Sequence, residues 1–144
     1  MIRCPGTGHF YGEKIMNDLT WHCELVLRND QDCLTACECL TTHVMNKVYH
    51  DYNGRAYEDQ RRIRIYILSQ FLRNYVEERT DAGNEHGYYS PMAHEIIYGA
   101  IQEIDFRQIA EGMIGDYSPK SPAKIAESEE YFEVMGFGNY DIDE

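Results

Sequence analysis

Residues 57–79 read YEDQRRIRIYILSQFLRNYVEER, and the fold class turns on whether this stretch is a strand or a helix. Ile63-Arg64-Ile65-Tyr66-Ile67 alternates and is β-branched, as a strand would be. It lies, however, inside some 20 residues without Gly or Pro, a length that suits a helix carrying Ile63, Ile65, Ile67, Leu68, Phe71, Leu72, Tyr75 and Val76. A helix is therefore expected from Tyr57 to Arg79. Its apolar positions cover more than one face, which marks it as the central, most buried element.

Working outward, the other segments read as helices too. Residues 1–12, with one Pro and three Gly, read as an irregular arm. A first helix is expected from Glu13, with Ile15, Leu19, His22 or Cys23, and Val26 inward. A second opens at Asp30 or Asp32 and continues to Asn53-Gly54, with Cys33, Cys37, Leu40, Val44 and Val48 as its inner stripe. After a loop over residues 81–89, Ser90-Pro91 supplies a capping hydroxyl and a proline at the first helical position. That helix carries Ile96, Ile97, Ala100, Ile101 and Ile104 on its apolar face. Asp105, with Gln108 three residues on, resembles a capping box and opens a short helix bearing Phe106, Ile109, Ala110, Met113 and Ile114, closed by Gly115. The expectation is one all-α domain of four to six helices over residues 1–116. Residues 117–144 are expected to form an acidic, partly mobile tail holding at most one short helix, from Pro122 to Met135.

Composition narrows the function classes. At 144 residues with 43% hydrophobic side chains, the chain can bury a real core. It has no apolar run long enough to span a bilayer and no signal-peptide pattern at its amino terminus, so a cytoplasmic location and reduced thiols are expected. The net charge of −12 is uneven: residues 1–79 carry ten basic and eleven acidic side chains, residues 80–144 three and fourteen. A half-molecule of −11 repels phosphate backbones and anionic membranes. Direct contact with nucleic acid or membrane is therefore not expected. Solubility and attraction to a basic partner protein both account for the surplus.

Four constellations could carry chemistry. Cys4, His9, His22, Cys23, Cys33, Cys37, Cys39 and His43 are zinc-competent, but their spacings do not form paired knuckles. The outer stripe Cys39-His43-Asn46-His50 is the most suggestive of a metal, through Cys39 and His43, yet His43 and His50 would stand about 10.5 Å apart along a helix axis. No cofactor is expected, with zinc or a thiol enzyme at the amino-terminal Cys/His group as the alternative. His94-Glu95-Ile96-Ile97-Tyr98 places Tyr where a zincin needs its second His. Arg55, Arg61, Arg62 and Arg64 form the one basic cluster, with Arg61, Arg62 and Arg64 as its candidate anion contacts: Glu58 can pair with Arg61 and Arg62, and the cluster contacts either an anion or the acidic second half. Finally, Tyr117, Tyr131, Phe132 and Phe137 set aromatic rings among Glu127, Glu129, Glu130 and Glu133, the mixture that protein interfaces use.

The run from Ile96 to Glu111, IIYGAIQEIDFRQIAE, resembles a segment of small helical proteins from phages and other mobile elements. In those, an apolar helix ends in (Val/Ile)-Asp-(Trp/Phe)-x-x-Ile-Ala. The likeness covers about residues 94–115 and carries no catalytic group. It implies a helix–cap–helix corner and a mobile-element origin, hence the host cytoplasm, and no activity. The function expected is that of a non-enzymatic acidic binding protein whose partner is basic. With a phage origin, that partner is expected to be a host nucleic-acid-binding machine, the acidic half standing in for a phosphate backbone.

Overall fold

A computed structural model describes residues 9–11 and 14–142. Its elements are a short antiparallel hairpin, β1 (His9–Tyr11) and β2 (Lys14–Met16), followed by helices α1 (Asp18–Asn29), α2 (Gln31–Met45), α3 (Gln60–Thr80), α4 (Pro91–Gln102), α5 (Phe106–Asp116) and α6 (Pro122–Val134). A 3₁₀ turn over Phe137–Asn139 follows. The all-α expectation holds for everything beyond the hairpin. That hairpin, pairing His9 with Met16 and Tyr11 with Lys14, stands where an irregular arm was expected.

Each helix begins at a residue whose side chain satisfies a backbone N–H that the first turn leaves open. Asn17, Asp30, Asp59, Ser90, Asp105 and Ser121 accept from the N–H three residues on, at 2.8–3.3 Å. The starts of the helices thus follow from short-range chemistry. The ends are less local. α2 stops at Met45, eight residues before the expected Asn53, where the Asn46 amide folds back on the Thr42 carbonyl at 2.8 Å. The following segment is held by Gln60, whose side-chain amide both accepts from the Tyr49 N–H and donates to its carbonyl, each at 2.8 Å. Val48 is consequently exposed, not part of an inner stripe.

α3 is central, as its all-round apolar pattern predicts. Ile65, Ile67, Leu68, Phe71, Leu72 and Tyr75 are buried, and the helix packs against both α2 and α5. α5 buries the five residues expected of it, Phe106, Ile109, Ala110, Met113 and Ile114, though it runs through Gly115 to Asp116. α1 turns a different face inward. Leu19 and Val26 are exposed, while Thr20, Glu24 and Leu27 are buried. The reason is polar. Thr20 Oγ1 accepts from the Asp105 N–H at 2.8 Å, and Glu24 pairs at 3.0 Å with Arg28, which also reaches Asp116 at 3.2 Å.

The expected acidic tail is a structural element. α6 packs against α2, and Phe132 and Phe137 are buried in the common core. Phe132 stacks on the His43 ring at a centroid distance of 3.7 Å and meets Phe71 edge-on at 5.7 Å. The high charge of α6 hides an inward stripe of Ile125, Ser128, Glu129 and Phe132, spaced at three and four residues.

Candidate functional site

The residues singled out from sequence divide into those spent on the fold and those presented outward. Phe132 and Phe137 belong to the first group, so neither is a surface anchor for a partner. Tyr117 and Tyr131 are half-buried. The Tyr117 hydroxyl accepts from Asn46 Nδ2 at 3.0 Å, with the Lys120 ammonium 5.7 Å from its ring centre. Glu129 accepts from His43 Nδ1 at 2.8 and 3.0 Å, pinning α6 to α2. What remains outward is a carboxylate ridge of Glu127, Glu130 and Glu133 along the exposed side of α6. Among the described residues only Lys124, 3.8 Å from Glu127, approaches it, and both side chains are so exposed that their pairing stabilises little.

The metal alternative rests on Cys39 and His43, whose Sγ and Nδ1 atoms are both engaged with α6. The Cys39 thiol donates to the Ser128 carbonyl at 3.0 Å, and the His43 Nδ1 is taken by Glu129. No three His, Cys, Asp or Glu side chains among the described residues are grouped to hold a metal ion. Cys4 and the His9 side chain lie outside the described residues. Burial pushes the thiols of Cys23, Cys37 and Cys39 up to about 12, the opposite of what an attacking thiolate requires. Burial likewise lowers the His43 imidazole, against the opposing pull of its bond to Glu129.

The arginine cluster also separates. Arg64 donates through Nη2 and Nε to the Lys47 carbonyl, at 2.6 and 3.2 Å, bracing the chain just beyond α2. Its role there is structural. Glu58 precedes α3, so the expected helical pairs with Arg61 and Arg62 do not form. Neither arginine makes an ion pair among the described residues, with the acidic half or otherwise. They line a groove of about 550 Å³ where α3 and α5 begin, opposite Arg107. Asp59, Asp105 and Glu111 line the same groove, so three carboxylates offset three guanidiniums and little net field is left for an anion.

One apolar face expected to turn inward, that of α4, is largely exposed. Within α4 only Ile101 is buried, whereas Met92 and Ile96 are 75% and 65% exposed. The signal available was the width of the apolar arc, which exceeds what one buried stripe needs. No described helix is long and apolar enough to cross a membrane. Comparison of the chain with protein-family models, with curated proteins and with solved structures finds no match.

Proposed function

We propose that the protein is a non-enzymatic binding protein that presents an acidic, tyrosine-bearing surface to a basic protein partner. The observation that carries this reading is the exposed carboxylate ridge of Glu127, Glu130 and Glu133, which among the described residues meets one cation, Lys124. The arginines of the first half are engaged away from α6: Arg61 and Arg62 share a groove with Asp59, Asp105 and Glu111, Arg28 meets Asp116, and Arg64 lies on a carbonyl. Like charges left together on a surface raise the energy of the compact state. A basic partner would relieve that repulsion and would be drawn in faster at low salt.

The resemblance of residues 94–115 to mobile-element proteins extends the proposal. The partner would then be a nucleic-acid-binding machine of the host, met in the host cytoplasm, with the ridge occupying a phosphate-reading surface. The test is capture from host extract on the immobilised chain at about 50 and 500 mM salt, alongside a Glu127→Gln, Glu130→Gln, Glu133→Gln variant. We expect one or more basic proteins retained at low salt only, and lost by the triple variant. Capture indifferent to both salt and the triple variant would overturn the reading.

A further inference from the structure

The outward face of α4 offers more than charge. Its apolar positions run from Met92 through Ile96, Ala100 and Ile97 to Ile101, about 180° of circumference at about 100° per residue. A helix serving one core needs an apolar stripe little more than about 100° wide. The described structure uses only one edge of this arc: Ile101 is buried and Ile97 is packed partly against the core, while Met92 and Ile96 face water. Among the described residues no other helix lies along α4 in the way that α5 lies along α3 or α6 along α2.

Gly99 adds an independent observation on the same face. Mid-helix glycine costs about 1 kcal/mol relative to alanine, so its presence calls for a reason. A Cβ built there meets no atom within 4 Å among the described residues, and the residue does not adopt a positive φ. Neither internal packing nor backbone conformation requires glycine at this position. What it does is leave bare backbone beside Met92 and Ile96, where another helix could approach closely.

The surroundings determine what kind of helix. Residues 80–106 contain five acidic side chains and no Lys or Arg. Glu95 borders the strip, Glu103 closes its end, and Glu85 lies in the loop before it. All three are exposed and make no ion pair among the described residues. A second copy of this chain would bring the same carboxylates against them, at a net charge of −12 each. A helix with apolar residues on one face and Lys or Arg along its borders would meet both the strip and the rim. We infer that the outward face of α4 is the seat for a basic amphipathic helix of the partner protein.

This inference rests on the proposed function and supplies the apolar anchor that the buried Phe132 and Phe137 do not. The test uses the full chain and two synthetic Leu/Lys peptides of one composition, one patterned as an amphipathic helix and one scrambled, followed by fluorescence anisotropy. Ile96→Asp is the decisive variant because it adds negative charge while removing apolar surface. Charge attraction alone would hold the patterned peptide as tightly or tighter, whereas docking on α4 predicts a loss of about tenfold or more. Gly99→Leu should produce a similar loss, with the circular dichroism of both variants unchanged.

We expect the patterned peptide to bind the parent chain at least about tenfold more tightly than the scrambled one. Equal binding of the two peptides, undiminished by Ile96→Asp, would overturn the α4 seat. If binding then fell in the Glu127→Gln, Glu130→Gln, Glu133→Gln variant, the basic-partner reading would survive without it. Binding of neither peptide at low salt would overturn both. A parent dimer in sedimentation that Ile96→Asp dissociates would give the face to a second copy and overturn the inference.

Discussion

At the scale of single residues, burial of titratable groups makes stability depend on pH at both ends. The His43 ring lies between Phe132 and Phe71, and desolvation lowers its pKa although Glu129 pulls the other way and Lys47 adds to the lowering. The folded chain therefore holds it neutral where the unfolded chain, with a value of about 6.5, would take up a proton. Its contribution is present above about pH 6.5 and is lost as pH falls. The buried thiols act at the other end. Cys23, Cys37 and Cys39 keep their protons in the fold up to about 12, while the unfolded chain releases them from about 9. Stability should then fall by up to about 1.4 kcal/mol per pH unit for each thiol as pH rises past 9. Urea melts at pH 5.5, 7.5 and 10 should show a maximum at the middle value, and His43→Phe should flatten the acid side. An alkaline side as flat as the middle would show that these thiols reach solvent in the native state.

At the scale of elements, α6 is the segment whose role changed most between sequence and structure. Its loss removes Phe132 and Phe137 from the core and uncovers His43 and Phe71 on α2 and α3. Deleting residues 118–144 should therefore lower the melting temperature sharply and expose surface that binds a hydrophobic dye. Phe132→Ala alone should cost about 3–5 kcal/mol in denaturant melts. A truncated chain melting like the parent would mean that α6 is an appendage after all. The contrast with α5 explains what sequence could and could not reveal. The start of α5, its inward residues and the Asp105 cap follow from spacing and short-range hydrogen bonding, so they were legible. The face of α1 was not. Thr20 and Glu24 are polar by composition and turn inward only because Asp105 and Arg28 await them from distant or neighbouring positions. The stop of α2 at Met45 was hidden in the same way, since the clamp of Gln60 on Tyr49 lies 11 residues away in the chain.

At the scale of the whole molecule, charge and shape point in different directions. A net −12 gives self-repulsion over a range of about 30 Å at 10 mM salt and about 8 Å at 150 mM. Thermal melts should accordingly rise by a few degrees between those two conditions, as screening relieves the compact state. A midpoint that falls with salt would mean that native ion pairs outweigh the repulsion, contrary to the few pairs that the second half makes among the described residues. The candidate surface was only half legible for a related reason. Acidic residues can be counted from composition, and their exposure on α6 follows. Which apolar residues are left over once the core is filled is a property of the assembled bundle, and Met92 and Ile96 belong to that class.

The lock between α2 and α6 also sets an order of events while the chain is being made. His43 and its partner Glu129 are 86 positions apart. At about 5–20 residues per second, a ribosome takes roughly 4–17 s to add the second after the first. Throughout that interval the groove of α2 has no lid, and α3, with its many apolar side chains, is already emerging beside it. The nascent protein thus passes several seconds with its stickiest face open. A holding chaperone in the producing cell would act on that window, and slow codons between α2 and α6 would lengthen it.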